Sequence, residues 1–283
     1  MHGKVVVISG ATSGIGQVAS ERIAALGARI VFIARDKARG ETALARLRGI
    51  SPVDHRVHYA DLSKLREMKR VAMEIAAAEP RIDVLMNNAG AMFHRKQMTE
   101  DGLELTFALN HMAYFVVTNI LRDRLLSTPG ARIVNTSSNA HRGARVDRND
   151  LQMIGRYRMF RNYCLSKLYN LLFTRELSRR LQGSGVTANA LHPGFVATRF
   201  GDATEGIGGL GFKLLKNFAI TPEEGAKTLV YLASSPDVAA ITGQYFFKCA
   251  TTKPTQDALD DSAAKWLWEE SERLATATGF PQR

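Results

Sequence analysis

Only two cysteines, Cys164 and Cys249, occur in the 283 residues, and they have no metal-ligand spacing. A disulfide framework is therefore excluded as the organising device, and a reducing, cytoplasmic setting is the expectation. No apolar run approaches the ~20 residues that a membrane-spanning helix needs. The opening "MHGKVVVISG" runs directly into a strand pattern, so no leader peptide is expected. No cluster of His, Asp and Glu suggests a metal. No internal repeat and no long low-complexity linker divides the chain.

What is present is enough for a core. Hydrophobic residues make up 45% and charged residues 23%, as in a globular domain. The formal net charge is +11. Arg and Lys are scattered through the helical stretches and also crowd in "HRGARVDRNDLQMIGRYRMFR", 141–161. Such a balance fits either general solubility or attraction for a polyanionic small molecule. No nucleic-acid-binding motif accompanies the charge, so no nucleic-acid partner is expected.

Short β-branched runs recur at "KVVVIS", "RIVFIA", "RVHYA", "IDVLMN", "ARIVNTS", "VTANAL" and "GQYFF". Helical stretches at 15–26, 36–47, 63–78, 101–126 and 160–182 separate most of them. That alternation predicts βαβ units: one α/β domain over 1–283, with a Rossmann-type, doubly wound parallel sheet and helices on both faces. Unbroken apolar runs such as "VVVI" fit strands buried on both sides. The glycine-interrupted segment 197–220 fits either a substrate lid or a surface loop without a role. The end of the chain, 256–275, reads as an amphipathic helix carrying Trp266 and Trp268.

"VVVISGATSGIG" places Gly10, Gly14 and Gly16 between the first strand and the first helix. Gly10 allows a tight turn, Gly14 lets backbone approach a pyrophosphate, and Gly16 lets the helix pack against the strand. The helix N-terminus then holds the anion through free N–H groups and its dipole.

With its Gly10-x-x-x-Gly14-x-Gly16 spacing, this loop resembles that of the short-chain dehydrogenase/reductase family, and Ser9 keeps the hydroxyl of the family's usual Thr. The resemblance continues in order along nearly the whole chain. It takes in Asp61-Leu62, "NNAG" at 87–90, Asn110 in "LNHMAYF", and "VNTSS" ending in Ser138. "NYCLSK" then holds Tyr163 and Lys167, and "HPGFVAT" spans 192–198. It implies a cofactor-binding set of Gly10, Ser13, Gly14, Ile15, Gly16, Arg35, Asp61, Leu62, Asn88, Ala89, Gly90, Tyr163, Lys167, Pro193, Gly194, Val196 and Thr198. The implied catalytic set is Asn110, Ser138, Tyr163 and Lys167.

The end of the second strand discriminates between cofactors. An acidic residue there would bond a ribose 2′-hydroxyl and repel a 2′-phosphate. Here Ala34 occupies that place and Arg35 follows, with a fork suited to phosphate. NADP(H) is favoured over NAD(H). Asp36, one residue on, is expected to cap the second helix. Ser13 stands where NADP(H)-using relatives often carry a second basic residue.

Residues 163 and 167 share one face of a helix. A free phenol has a pKa of about 10, and a neighbouring ammonium together with a positive nicotinamide would lower it. By resemblance, Tyr163 exchanges the proton of a carbonyl/alcohol pair, Ser138 bonds the substrate oxygen, and Lys167 holds the ribose. Asn110 positions a water that links Lys167 to solvent. His111 and His192 are expected to be packed or backbone-bonded. Ser138 and Tyr163 are 25 positions apart, a longer interval than in compact relatives. Together with "TPEEGAKTLVYLASS", "TGQYFFKC" and "AKWLWEES", this longer version resembles the retinol dehydrogenase-like branch and its relatives, which often act on bulky apolar carbonyls or alcohols. A homodimer or homotetramer through helices 101–126 and 160–182 is implied in the same way. The competing readings are a sensor that binds NADP(H) without turnover and a protein-interaction module.

Overall fold

In the computed structural model the described residues are 1–195 and 220–277. The chain runs β1 (Val5–Ser9), α1 (Gly14–Ala25), β2 (Arg29–Ala34), α2 (Lys37–Ile50), β3 (Arg56–Tyr59), α3 (Leu65–Ala78) and β4 (Val84–Asn87). It continues through a short helical turn α4 (Leu105–Phe107), a π-helical segment (Ala108–Met112) and α5 (Ala113–Leu126). Then come β5 (Arg132–Thr136), a 3-10 turn (Asn139–Gly143), α6 (Met159–Arg180) and β6 (Thr187–Leu191). The last described elements are α7 (Pro222–Ser234), β7 (Tyr245–Phe247), β8 (Ala250–Thr251) and α8 (Asp261–Thr276).

Every residue of β1 is buried. Val5 and Val7 face one core, with α3, α5, α6 and α8. Val6 and Ile8 face the other, with α1, α2 and α7. This two-sided burial is why the strand is continuously apolar and does not alternate. The eight strands lie in the order β3-β2-β1-β4-β5-β6-β7-β8. All neighbours are parallel except β7 and β8. The chain winds outward from β1 to β3, then returns to place β4 on the other side of β1. In doubly wound sheets, ligands bind at that reversal, outside the carboxyl ends of the strands. The loops after β1 and β4 leave the sheet there.

Three boundaries differ from the expected ones for local reasons. The helix expected from residue 101 begins at Leu105, because the Glu104 carboxylate accepts from the N–H groups of Thr106 and Phe107. The helix expected over 256–275 begins at Asp261. Asp260 caps it by accepting from Ser262 and Ala263, and a separate 3-10 turn, Asp257–Leu259, precedes it. β8 has no glycine or proline signal in the sequence: its hairpin turn is made by Lys248 and Cys249, both at positive φ (49° and 62°).

The C-terminal helix lies across α5 and α6. Trp268 stacks on Phe173 with centroids 5.8 Å apart and meets Phe115 edge-on at 5.0 Å. The Arg180 guanidinium sits 4.3 Å over the same indole. His111 Nε2 and Ser271 Oγ are 2.7 Å apart in the core. Among the described residues, no helix is long and apolar enough to cross a membrane.

Candidate active site

The glycine loop and the segment after β4 form one unit. The Ser9 hydroxyl accepts from the backbone N–H groups of Asn88 and Ala89, each at 3.1 Å. Asn88 Nδ2 donates to the carbonyls of Ser9 and Gly10. Gly10 and Gly14 adopt φ of +76° and +57°, the left-handed region that favours glycine. A Cβ on Gly10 would sit 2.9 Å from Asn88 Nδ2, and one on Gly16 would overlap the Gly10 carbonyl and the Asn88 amide. Ile15 leans on the second core. Ser13 is the exposed N-cap residue of α1, yet its side chain caps nothing and the first turn carries no acid. The α1 N-terminus thus keeps donors free, whereas α2, α7 and α8 are capped by Asp36, Thr221 and Asp260. Free donors in a glycine cradle fit a pyrophosphate.

At the end of β2, Arg35 is exposed. Asp36 accepts from the Arg39 N–H at 2.8 Å, the capping role expected of it. Asp61 accepts from the backbone and hydroxyl of Ser63 through one carboxylate oxygen, and Leu62 is buried beside it. Gly90 lies where a Cβ would be 3.2 Å from Asn110 Oδ1 and 3.3 Å from Lys167 Nζ. Its missing side chain therefore lets the β4 loop reach both residues. Pro193 and Gly194 follow β6, with Gly194 at φ +91° and its Cβ position 2.9 Å from Ile220. Val196 and Thr198 lie outside the described residues, as does the expected lid except for Ile220.

Buried polar bonds fix α6 against β5. Ser137 Oγ donates to the Lys167 carbonyl at 2.7 Å. Asn170 Nδ2 and Lys167 Nζ both donate to the Thr136 carbonyl, at 3.1 and 3.2 Å. Deeper, Asn87 bonds Asn135, and Asn135 bonds Thr174 of α6. These contacts bring Tyr163 to Ser138, whose hydroxyl lies close enough to the phenol to pull its pKa down. Ser138 Oγ also accepts from Ala140 N–H at 3.2 Å.

The electrostatics differ from the expectation. The Tyr163 ring is half-buried by area, but its hydroxyl is enclosed. Burial pushes its pKa up to about 12, against the pull of the Ser138 hydroxyl. Lys167, only 3% exposed, is pushed down to about 7 by burial. Its ammonium lies 5.6 Å from the centre of the Tyr163 ring. Desolvation, not the lysine charge, dominates the phenol in the protein alone.

Asn110 sits in the π-helical segment, a distortion frequent at functional sites. Its Oδ1 accepts from Ala91 N–H, and its Nδ2 donates to the Ala91 carbonyl and Ser166 Oγ. The amide ties the β4 loop to α6, and its oxygen keeps a second lone pair beyond the bond from Ala91. His111 and His192 are packed, as expected. Burial lowers His111 to about 3, and burial with nearby His141 and Arg142 lowers His192 to about 4.

Sequence reasoning overlooked Thr136, Ser137, Asn170 and His141. The first three act through backbone contacts that have no spacing signature. His141 stood alone in an arginine-rich stretch.

The family description "short chain dehydrogenase" matches residues 4–206. Retinol dehydrogenase 14 from Homo sapiens is 41% identical over 291 residues, covering 96% of this chain and 86% of that protein. Retinol dehydrogenase 13 from Homo sapiens is 40% identical over 281 residues, covering 96% and 84%. Among solved structures, an uncharacterised protein from Mycobacterium paratuberculosis superposes with a TM-score of 0.79 at 32% identity. That match covers 99% of this chain and 96% of the other. The chain belongs to the short-chain dehydrogenase/reductase family. It falls in the retinol dehydrogenase-like branch and is an oxidoreductase of the alcohol/carbonyl class. A nicotinamide dinucleotide is the cofactor of that family, and the glycine cradle described above suits one.

Proposed function

We propose that this chain is an NADP(H)-dependent oxidoreductase that interconverts a carbonyl and an alcohol, with Tyr163 as general acid/base. The observation that carries this reading is the convergence of Tyr163, Ser138 and a buried Lys167, its ammonium 5.6 Å from the phenol ring centre, at the carboxyl edge of the sheet. When bound, the coenzyme supplies or accepts the hydride.

Gly10, Gly14 and Gly16 bring backbone close to the coenzyme's pyrophosphate, and the uncapped α1 N-terminus donates to it. Arg35 takes the 2′-phosphate: it is exposed, and its acidic neighbour Asp36 is occupied by capping. Asp61 and Leu62 border the adenine, Asn88, Ala89 and Gly90 the adjoining ribose, and Pro193, Gly194, Val196 and Thr198 the nicotinamide. Lys167 holds the ribose hydroxyls near it. Ser138 donates to the substrate oxygen. Tyr163 gives a proton to that oxygen in reduction and takes it back in oxidation.

With its pKa near 12, Tyr163 rests protonated in the protein alone and suits donation. Oxidation needs additional positive charge nearby to release the phenol proton. Asn110 keeps the loop and helix in register.

A bulky apolar substrate is supported by the named activity of the retinol dehydrogenases, retinol being such a molecule, and by exposed Phe160 and Phe195. A cytoplasmic location is part of the same reading.

The test is a screen of apolar aldehydes, ketones and alcohols with NADPH/NADP+ and NADH/NAD+, followed at the reduced-nicotinamide absorbance. Turnover that is faster with the phosphorylated pair supports the proposal. Tight NADPH binding with no turnover of any carbonyl or alcohol would replace it with the sensor reading.

A further inference from the structure

We infer that His141 is a positioning residue that holds Ser138 in its catalytic orientation. This rests on the function proposed above. The Ser138 carbonyl accepts twice from His141, from its backbone N–H at 3.1 Å and from its ring Nδ1 at 2.7 Å. On the other side of the ring, Nε2 receives the backbone N–H of Thr255 at 3.2 Å. A carbonyl only accepts and a backbone N–H only donates. The ring is therefore neutral, with its proton on Nδ1. His141 is fully buried and meets the ring of Tyr245 edge-on, with centroids 5.3 Å apart.

Ser138 needs such support because it stands just past the end of β5, where the ladder no longer fixes the backbone. Its hydroxyl has two tasks: it accepts from Ala140 N–H, and it stands beside the Tyr163 phenol, whose pKa it pulls down. The turn Asn139–Gly143 is anchored to the segment before α8 by the His141–Thr255 bond and by Arg142, which donates to the Lys253 carbonyl at 2.8 Å. The imidazole connects that anchored segment directly to the Ser138 peptide. A displacement of the serine of about 1 Å is enough to cost on the order of 100-fold in rate.

The two ring nitrogens have separable tasks, which makes the inference testable. Asn at 141 presents an amide N–H near the place of Nδ1, and Gln presents an amide oxygen near the place of Nε2. His141→Asn keeps the bond to Ser138 and loses the bond to Thr255; His141→Gln does the reverse. The expected result is kcat within about 3-fold of the unaltered chain for His141→Asn, and a loss of roughly 10- to 100-fold for His141→Gln. Coenzyme affinity, read by reduced-nicotinamide fluorescence, stays within about 2-fold in both, because neither contact touches the cradle.

Equal losses in the two variants, or a better-preserved Gln variant, would overturn the inference. A merely structural histidine would show kcat following thermal stability instead. Should His141→Gln fail to fold, the imidazole nitrogen shifts of the unaltered chain decide together with the Asn variant. A proton on Nδ1 with activity kept in His141→Asn supports the inference, and a proton on Nε2 overturns it. Absence of turnover by the unaltered chain would instead remove the function on which the inference rests.

Discussion

The side-chain amide of Asn88 donates to the carbonyl of Gly10 across 3.3 Å, joining loops 78 residues apart in the chain. Both loops flank the point where the sheet reverses its winding, so the contact fixes the floor of the cleft proposed to hold the coenzyme.

Gly16→Ala places a methyl onto the Gly10 carbonyl and the Asn88 amide. Overpacking of this kind costs about 1–3 kcal/mol. The variant is expected to melt at lower temperature and to bind reduced coenzyme at least ~10-fold more weakly, a loss of ~1.4 kcal/mol. Calorimetry and nicotinamide fluorescence read the two effects separately. Unchanged affinity would place the coenzyme away from this cradle.

Arg35→Ala is expected to raise the KM for NADPH by roughly 10-fold, the effect of losing a charge-assisted hydrogen bond of about 1.5 kcal/mol. NADH kinetics stay as they were, because Asp36 remains engaged at the start of α2. Parallel kinetics with both coenzymes check this. Equal effects on the two would remove Arg35 from phosphate recognition.

Stability is expected to fall as the medium is acidified below about pH 6.5. His111 stays neutral in the folded chain down to about 3, because it is enclosed, while the unfolded chain protonates near the ordinary histidine value of 6.5. A depressed folded pKa gives stability that is complete above the unfolded value and lost on the way down to the folded one. This single group contributes a slope of about 1.4 kcal/mol per pH unit in that window. His111→Leu therefore flattens the dependence of melting on pH between about 6 and 4. Denaturant titrations at several pH values measure the slope.

Trp268 connects α8 to Phe115 of α5 and Phe173 of α6. An oligomer formed through α5 and α6 would have to displace that helix. The chain is expected to run as a 31.2 kDa monomer in light scattering, in place of the homodimer or homotetramer that the family resemblance suggests. Trp268→Ala should destabilise it by about 3–5 kcal/mol, read by denaturant melts.

Much of this architecture was legible in the sequence because its signals are local. The run "RIVFIA" is β2 from end to end, since both faces of the strand are buried. Gly10, Gly14 and Gly16 announced the cradle because Gly10 and Gly16 meet atoms that a Cβ would crowd and Gly14 adopts a positive φ. Tyr163 and Lys167 stood out only because "NYCLSK" falls in order with the other motifs of the family resemblance; their four-residue helical spacing alone is a weak signal. The pairing of His111 with Ser271 was hidden, because it joins residues 160 apart. His141 was hidden for a similar reason, since both of its partners are backbone atoms and one lies 114 residues away. The π-helical segment around Asn110 leaves no periodicity to detect. The pKa of Tyr163 depends on how completely the fold surrounds its hydroxyl, and that is a property of packing, not of spacing.

The most direct measurement compares Tyr163→Phe with the unaltered chain, using the best carbonyl substrate from the screen and NADPH. The substitution removes one oxygen and keeps the ring. Loss of kcat by about 100- to 10,000-fold with coenzyme affinity unchanged is the predicted result. Turnover within a few-fold of the unaltered chain would contradict it, because the proton would then be travelling by a route that does not pass through this hydroxyl.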